Sequence, residues 1–262
     1  MSLSGKTLKN SYIDLLQMDN SNGGVDTSTQ TIKDGGGTHS ALSLSDDTLV
    51  VRPQNDNTTT TFAVTTKTLT QILAVDTTNE LVTASGNTVN TQYATFSTVN
   101  SESGAFLANT HHPLAFSSAN YGSLGDFPAF GTGTDPATTF TTADGSDTRA
   151  SCLVPCLWYV PDAMSIDSIN SIEGADTATG DTSRMHCLSY TFTSGATNCL
   201  TSGTLLAHNS DVTNAGSEQP YLTTWTIDSA AVTAGKVILA FFESDSINSD
   251  YSVQITVKYH LT

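Results

Sequence analysis

The sequence contains few charged residues and very few basic ones. Asp, Glu, Lys and Arg make up 13% of its 262 residues, against roughly 25% in an average soluble protein. Only 9 residues are Lys or Arg, whereas 25 are Asp or Glu, so the formal net charge is −16. Such a surface repels phosphate backbones and acidic membrane faces, which excludes a general nucleic-acid binder and a protein of anionic membranes.

Long apolar runs are also missing. No stretch approaches the roughly 18 apolar residues of a membrane-spanning helix. The segment Met1–Asn10 contains lysines, but no apolar run follows it, so we see no secretory leader. We therefore expect a protein that is made in the cytosol, does not insert into membranes, and either stays there or leaves by cell lysis.

Motifs of common enzymes are absent. The sequence has no G-x-S-x-G, H-E-x-x-H, Walker or G-x-G-x-x-G motif. A polysaccharide depolymerase with two catalytic carboxylates is an alternative, but the sequence does not indicate which acidic pair would converge. We therefore predict a protein that is not an enzyme, with no catalytic residues and no cofactor.

Four cysteines are too few to build a disulfide scaffold in a chain of this length. They are Cys152, Cys156, Cys187 and Cys199. Their spacing matches no familiar zinc knuckle. We predict free thiols that are mostly buried and pack as small apolar side chains.

Two histidine positions deserve a metal hypothesis. The pair His111-His112 precedes Pro113, and the simpler interpretation is a solvated loop. His186 and Cys187 are neighbours in a predicted strand, so their side chains should point to opposite faces and not share a metal. We predict no metal site.

Acidic loops suggest calcium, which needs six to eight convergent oxygens. The candidate groups are Asp144 with Asp147, Asp176 with Asp181, and Glu243 with Asp245. None matches an EF-hand loop, and we interpret them as solvated turn carboxylates.

Thr, Ser, Asn, Asp and Gly take the place of the missing charges, and these residues favour strands and turns. From about residue 31 to 98, apolar runs of four or five residues recur at intervals of roughly 8–12 residues, as short strands do. These runs contain few large side chains, so we interpret residues 31–100 as a stalk or arm that neighbouring copies complete.

Residues 101–262 are denser in apolar side chains. Strands are predicted at 153–160, 166–172, 184–192, 221–228, 236–242 and 251–261. Residues 236–242 are apolar on both faces, which is typical of a strand covered on both sides. The last strand alternates apolar and polar residues over its whole length, as expected of a strand with one buried face.

We therefore predict an all-β protein in three parts. Residues 1–30 form an N-terminal attachment segment, which contains a helix or strand near 8–18. Residues 31–100 form the short-strand stalk, and residues 101–262 form an antiparallel β-sandwich, for which a jelly roll is one candidate form. Phe127, Phe130, Trp158 and Trp225 are candidates for stacking on sugars, although large aromatics at strand positions are more often core residues.

Several segments resemble virion proteins of marine tailed bacteriophages, particularly fibre-like ones. The segments are Leu8–Gln17, Lys33–Thr38, Val51–Asn57, Ile72–Asn79, Phe130–Pro136, Ser171–Asp176 and Glu243–Tyr251. The resemblance covers most of the chain, but its motifs are turns and strand segments and assign no active site.

The resemblance implies a virion structural protein: a head fibre, a decoration protein or a tail fibre. It implies a homotrimer whose N-terminal part attaches to capsid or tail proteins and whose C-terminal domain lies outermost. The alternative is a carbohydrate- or receptor-binding module at a fibre tip, with a host surface glycan as partner.

Overall fold

The structure, a computed structural model, is all-β. It describes residues 15–20, 23–101, 107–117, 128–141, 153–176, 179–215, 219–245 and 250–262, without the side chains of 99–101, 176 and 250. Within these ranges the strands form four antiparallel sheets, and the helical structure is limited to a short turn at Val154–Cys156. The chain divides into two compact units, Met1–Val89 and Asn90–Thr262. These findings confirm the predicted all-β class and its sandwich-like sheets.

The N-terminal unit contains two small meanders in which consecutive strands pair. The first comprises β1 (Gln17–Met18), β2 (Gln30–Lys33), β3 (His39–Leu44) and β4 (Leu49–Val51). The second comprises β5 (Phe62–Thr65), β6 (Gln71–Asp76), β7 (Leu81–Ala84) and β8 (Asn87–Thr88). Short strands joined by tight turns are expected here, because the segments between the apolar runs are rich in the turn-favouring residues Thr, Asp and Asn.

One sheet of the C-terminal unit has six strands. They are β9 (Thr91–Ser101), β11 (Ala115–Phe116), β13 (Met164–Asp176), β17 (Tyr221–Thr224), β19 (Ala231–Val232) and β21 (Asp250–Leu261). The order is β11-β9-β21-β13-β17, with β19 also on β13. The first strand, β9, comes from the segment assigned above to the stalk, because the two units divide at Val89.

The other sheet has seven strands. They are β10 (His112–Pro113), β12 (Trp158–Tyr159), β14 (Thr182–Phe192), β15 (Leu200–His208), β16 (Val212–Thr213), β18 (Thr226–Ile227) and β20 (Lys236–Ser244). Its order is β10-β20-β14-β15-β18, with β12 on β20 and β16 on β14. The long strands β14 and β20 therefore lie at its centre.

The two large sheets pack face to face over one apolar core. Strand β21 contributes Tyr251, Val253, Ile255 and Val257 to it, and Ser252 and Gln254 point outward to solvent. The alternation predicted for this strand is therefore confirmed. Strand β20 contributes Ile238, Ala240 and Phe242 from the opposite sheet.

A second core lies on the other face of the seven-stranded sheet. Residues 128–141, which we name the strap, place Phe130 and Phe140 against that face. The two rings stack with their centroids 4.5 Å apart, and Phe130 lies 4.8 Å from Phe241 of β20. The strap core comprises Phe130, Phe140, Leu153, Cys156, Leu188, Tyr190, Cys199, Leu200, Val237, Leu239 and Phe241. Strand β20 is thus covered on both sides, as its sequence predicted.

Two strand predictions are corrected. Residues 153–160 do not form one strand: a short helical turn precedes the two-residue β12, because Pro155 fixes its φ and donates no ladder hydrogen bond. Residues 221–228 divide between sheets, with β17 on β13 and β18 on β15. Buried Trp225 lies between the two strands, and its indole Nε1–H donates a hydrogen bond to Ser171 Oγ at 2.9 Å.

The predicted helix or strand near 8–18 lies largely outside the described residues, apart from β1 at its end. In the parts of the chain that are described, no helix has the length and apolar character needed to cross a membrane.

Gly203 of β15 provides a test of how closely the strap packs. A Cβ at this position would lie 2.8 Å from Thr138 Cα of the strap and 2.7 Å from Tyr190 Cε1. We predict that Gly203→Ala lowers the free energy of unfolding by about 1–3 kcal/mol, as overpacking does. Chemical denaturation of the full chain measures the free energy of unfolding of the variant and of the wild type.

Gly174→Ala is the matched control, because a Cβ on Gly174 of β13 meets nothing within 4 Å. We expect it to leave stability unchanged or raise it by up to about 1 kcal/mol. Equal losses in the two variants would contradict close packing of the strap.

Candidate interaction face and histidine cluster

One face of the second meander carries a continuous group of apolar side chains. The register aligns Phe62, Val75 and Val82 in one cross-strand row, and it aligns Val64, Leu73 and Ala84 in the next. Directly paired residues share a face, so the six side chains form one continuous surface, which we name the apolar face. Phe62, Val64 and Val82 are 42%, 44% and 41% exposed.

The N-terminal unit as a whole buries little. Among its described residues, only Ile32 and Ala74 are buried apolar side chains. Leu49, Leu69 and Ile72 are large, apolar and exposed, in addition to the apolar face. Small sheets need a covered apolar side for independent stability, and contiguous exposed apolar surface is typical of interaction sites.

Local turn chemistry holds the meander in register. Asp76 Oδ1 accepts hydrogen bonds from the backbone N–H groups of Thr78 and Asn79, and Asp76 Oδ2 accepts one from the Asn79 amide. These bonds hold the pKa of Asp76 below its usual value, with the Asn79 side chain making the largest contribution. The turn therefore sets the pairing of β6 with β7 that aligns the apolar face.

A cluster of histidines and carboxylates lies at one end of the strap core. His111 and His112, predicted to be solvated, are instead buried, because they run alongside β20 beneath the strap. His111 exchanges backbone hydrogen bonds with the strap, donating to Gly131 O and accepting from Phe130 N. The pair is therefore part of the folded interior.

The tautomer of His112 follows from its partners. The N–H of Leu107 donates to its Nε2 at 3.1 Å, and its Nδ1 lies 3.2 Å from the carbonyl oxygen of Pro128. A carbonyl only accepts, so Nδ1 carries the proton and the ring is neutral. His112 acts here as a structural link between two loops.

His111 and His186 meet edge to face. Their ring centroids are 4.9 Å apart, and His208 stacks on the other side of His186 at 6.5 Å. His111 Nε2 donates to Gly133 O of the strap at 3.0 Å, whereas the Nδ1 atoms of His111 and His186 are buried without a hydrogen-bond partner among the described residues. Sequence reasoning missed this juxtaposition.

Charged groups surround the three rings. Glu243 Oε2 lies 3.4 Å from His111 Nε2 and 3.6 Å from Arg184 Nε. Arg184 also pairs with Asp211 at 2.8 Å, and His208 pairs with Asp228 at 2.7 Å. On the strap side, Asp135 Oδ1 lies 3.5 Å from His186 Nε2.

Burial holds the pKa of His186 far below its usual value, at about 3. The further causes are the neighbouring His111, His208 and Arg184, each of which disfavours a second positive charge. His186 is therefore neutral in the folded protein at ordinary pH.

The other candidate ligands do not converge in the described parts of the chain, where no group of three His, Cys, Asp or Glu residues has metal-binding geometry. Asp245 accepts a hydrogen bond from Thr182 N at 2.8 Å, and Glu243 belongs to the histidine cluster. Asp144, Asp147, Cys152 and Phe127 lie outside the described residues, as does the side chain of Asp176.

Cys156, Cys187 and Cys199 are buried thiols that form no disulfide among the described residues, in accordance with the prediction of small apolar side chains. Cys187 lies in the inter-sheet core, where burial raises its pKa to about 12, and Cys156 and Cys199 lie in the strap core. The aromatic candidates Phe130, Trp158 and Trp225 are buried, which removes them as sugar-stacking residues.

The outer face of the six-stranded sheet carries hydroxyl and amide groups in register. One row runs Ser97, Gln254, Ile172 and Leu222, and another runs Thr95, Thr256, Asn170 and Thr224. A groove of about 520 Å³ lies on this face and has no charged residue in its lining.

Comparison with known proteins gives no further information. No protein-family model matches the chain. No curated protein matches it either.

Glu173 is the most deeply buried carboxylate described between the two sheets, at 1% exposure. Ser183 donates a hydrogen bond to its Oε2, and its Oε1 has no hydrogen-bond partner among the described residues. Burial raises the pKa of Glu173, and the hydrogen bonds of Ser183 and Asn214 offset only part of this effect. The folded state therefore favours the protonated acid.

We predict that Glu173→Gln is more stable than the wild type at pH 7, by on the order of 1 kcal/mol. A raised folded-state pKa contributes stability below the unfolded pKa of about 4.5 and loses it as pH rises through the folded value. The difference between variant and wild type should therefore shrink as pH falls toward 4.5. Denaturation at several pH values measures this.

Asp162→Asn, which neutralises an exposed carboxylate of the same unit, is the control. A stability difference for Glu173→Gln that stays constant between pH 7 and 4.5 would contradict the assignment.

Proposed function

We propose that this chain is a non-enzymatic virion structural protein, a fibre or decoration protein of a tailed phage. In this proposal the N-terminal unit attaches to capsid or tail proteins, and the C-terminal unit lies outward. The single observation that carries it is the exposed apolar face of a unit in which, among the described residues, only two apolar side chains are buried. The resemblance of the sequence to phage fibre-like proteins is the basis for proposing a virion location and a homotrimer.

Sister copies of the chain are the partner that this face suits best. The six side chains of the apolar face bear no charge, whereas the chain as a whole carries −16. Like-charged copies repel over most of their surfaces, so association is favoured where a neutral apolar surface is available. About two fifths of each of Phe62, Val64 and Val82 is exposed, so burying that part against equivalent side chains would give each roughly 0.6–1.3 kcal/mol of transfer free energy, against about 1.5–3 kcal/mol for a fully exposed side chain.

We predict that the full chain is a homo-oligomer, with a trimer expected, and that Val64→Thr with Val82→Thr weakens it at least tenfold. Threonine keeps the β-branched shape but places hydroxyl groups in the contact. Light scattering across a concentration series measures the mass and the dissociation constant.

Leu222→Ser is the matched control, because Leu222 is 75% exposed but belongs to the C-terminal unit. It should leave the mass unchanged. A folded wild-type monomer at all concentrations would overturn the oligomer, and an unaffected oligomer in the double variant would place the contact elsewhere.

Location on the particle needs a separate measurement. Electron microscopy of purified virions, with this chain labelled by an antibody, should place the label on an external appendage. Particles without label would overturn the virion role even if the chain proved to be oligomeric.

A second candidate function is glycan binding by the outer face of the six-stranded sheet. The uncharged hydroxyl and amide groups around the 520 Å³ groove favour it, since neutral sugars are held by such groups. A glycan array of the full chain tests it. Binding lost in Gln254→Ala would support it, and an array without binding would remove it.

A further inference from the structure

The strap is held in place almost entirely by uncharged contacts. Thr138 O accepts from Gly203 N at 2.9 Å, and Phe140 N donates to Leu200 O at 3.0 Å. Tyr190 Oη donates to Ala137 O at 2.8 Å, and His111 Nε2 donates to Gly133 O at 3.0 Å. Among the described residues, one contact of the strap joins two ionisable side chains: that of Asp135 with His186.

Ionisable groups face His186 from every element around it. They are Arg184 on its own strand, Glu243 on β20, His208 on β15, His111 in the segment before β10, and Asp135 on the strap. Asp211 pairs with Arg184, and Asp228 pairs with His208, so neither carboxylate contacts His186 directly.

These carboxylates would stabilise the positive charge of a protonated His186 only weakly. Glu243 is directed at His111 and Arg184, and Asp228 at His208. Asp135 lies at 3.5 Å, but its side chain is 60% exposed, so water screens its charge. A charged His186 would be buried next to Arg184 and 4.9 Å from the ring of His111.

We propose that the strap is an acid-released cover: it closes over neutral His186, and acidification drives it open because His186 takes up a proton only when exposed to solvent. Opening would uncover the strap core, including Tyr190, Leu239 and Phe241, and would give solvent access to Cys199. The outer face of the seven-stranded sheet would then present an apolar surface that the closed form conceals.

The pH range in which the strap opens follows from the difference in proton binding between the closed and open forms. The pKa of His186 is depressed from 6.5 to about 3 in the closed form. Below about pH 6.5 the open form binds one proton more than the closed form, so the opening equilibrium rises about tenfold per pH unit until about pH 3. Between pH 7.5 and 5 the expected increase is about 30-fold.

Hydrogen exchange of the full chain tests this. The reporters are the N–H groups of Gly203 and Phe140, which bond across the edge of the strap. Their protection factors, corrected for the intrinsic pH dependence of exchange, should fall about 30-fold between pH 7.5 and 5. Amides of the β14–β20 ladder, which report global unfolding, should stay more strongly protected than the strap amides at every pH, because releasing the strap does not require the ladder to open.

Thiol labelling provides a second readout within the same molecule. Cys199 belongs to the strap core and Cys187 to the inter-sheet core. With 4,4′-dithiodipyridine, which reacts in mild acid, labelling of Cys199 should accelerate as pH falls while Cys187 stays protected. Site-resolved mass spectrometry separates the two cysteines.

His186→Gln should abolish the pH dependence of both readouts, because glutamine does not titrate. His260→Gln is the matched control: it removes a histidine from the other sheet, where His260 pairs with Asp167 at 2.8 Å. This control should keep the 30-fold change. Equal slopes in the wild type and His186→Gln, or a wild type without any slope, would overturn the proposal.

An NMR titration of the wild type decides the matter if His186→Gln does not fold. The ring carbons of His186 should keep their neutral shifts at pH values where the strap amides remain protected. A His186 that titrates near pH 6.5 beneath a closed strap would overturn the proposal.

Discussion

Coverage of the seven-stranded sheet on both faces is the constraint on which the C-terminal unit depends. Strands β14 and β20 carry apolar side chains on each side, so each side requires its own layer. The six-stranded sheet supplies one layer through Ile255 and Val257, and the strap supplies the other through Phe130 and Phe140. Close approach of the strap in turn requires Gly203, where a side chain would meet Thr138. The sheet, the strap and the glycine therefore form one packing unit.

Coverage of the seven-stranded sheet on both faces also explains why polar groups are buried at the edge of the strap core. Where the strap core ends, the sheet continues with Arg184, His186 and Glu243, the segment before β10 adds His111, and the strap adds Asp135. Desolvation favours the neutral form of His186, so packing sets its protonation state. Glu173 shows the same rule between the sheets, where burial favours the protonated acid.

The N-terminal unit contrasts with this arrangement. Its meanders have well-formed turns, such as the one closed by Asp76, yet Phe62, Val64 and Val82 on one side of the second meander remain 41–44% exposed. Local hydrogen bonds determine the pairing of such strands, whereas burial of their apolar face requires another surface. A unit of this kind suits a protein that works as part of an assembly.

Four features could be predicted from the amino-acid sequence: the strand content, the alternation of buried and exposed residues in β21, the burial of β20 on both sides, and the scarcity of core residues in the N-terminal part. These properties depend on the period of the side chains and on composition, both of which are local. Three features emerge only from the fold: His111 is buried beside His186, the chain changes sheets at Trp225, and residues 128–141 form a strap. Such pairings join residues far apart in the chain, and their strength comes from desolvation and packing, which no local pattern encodes.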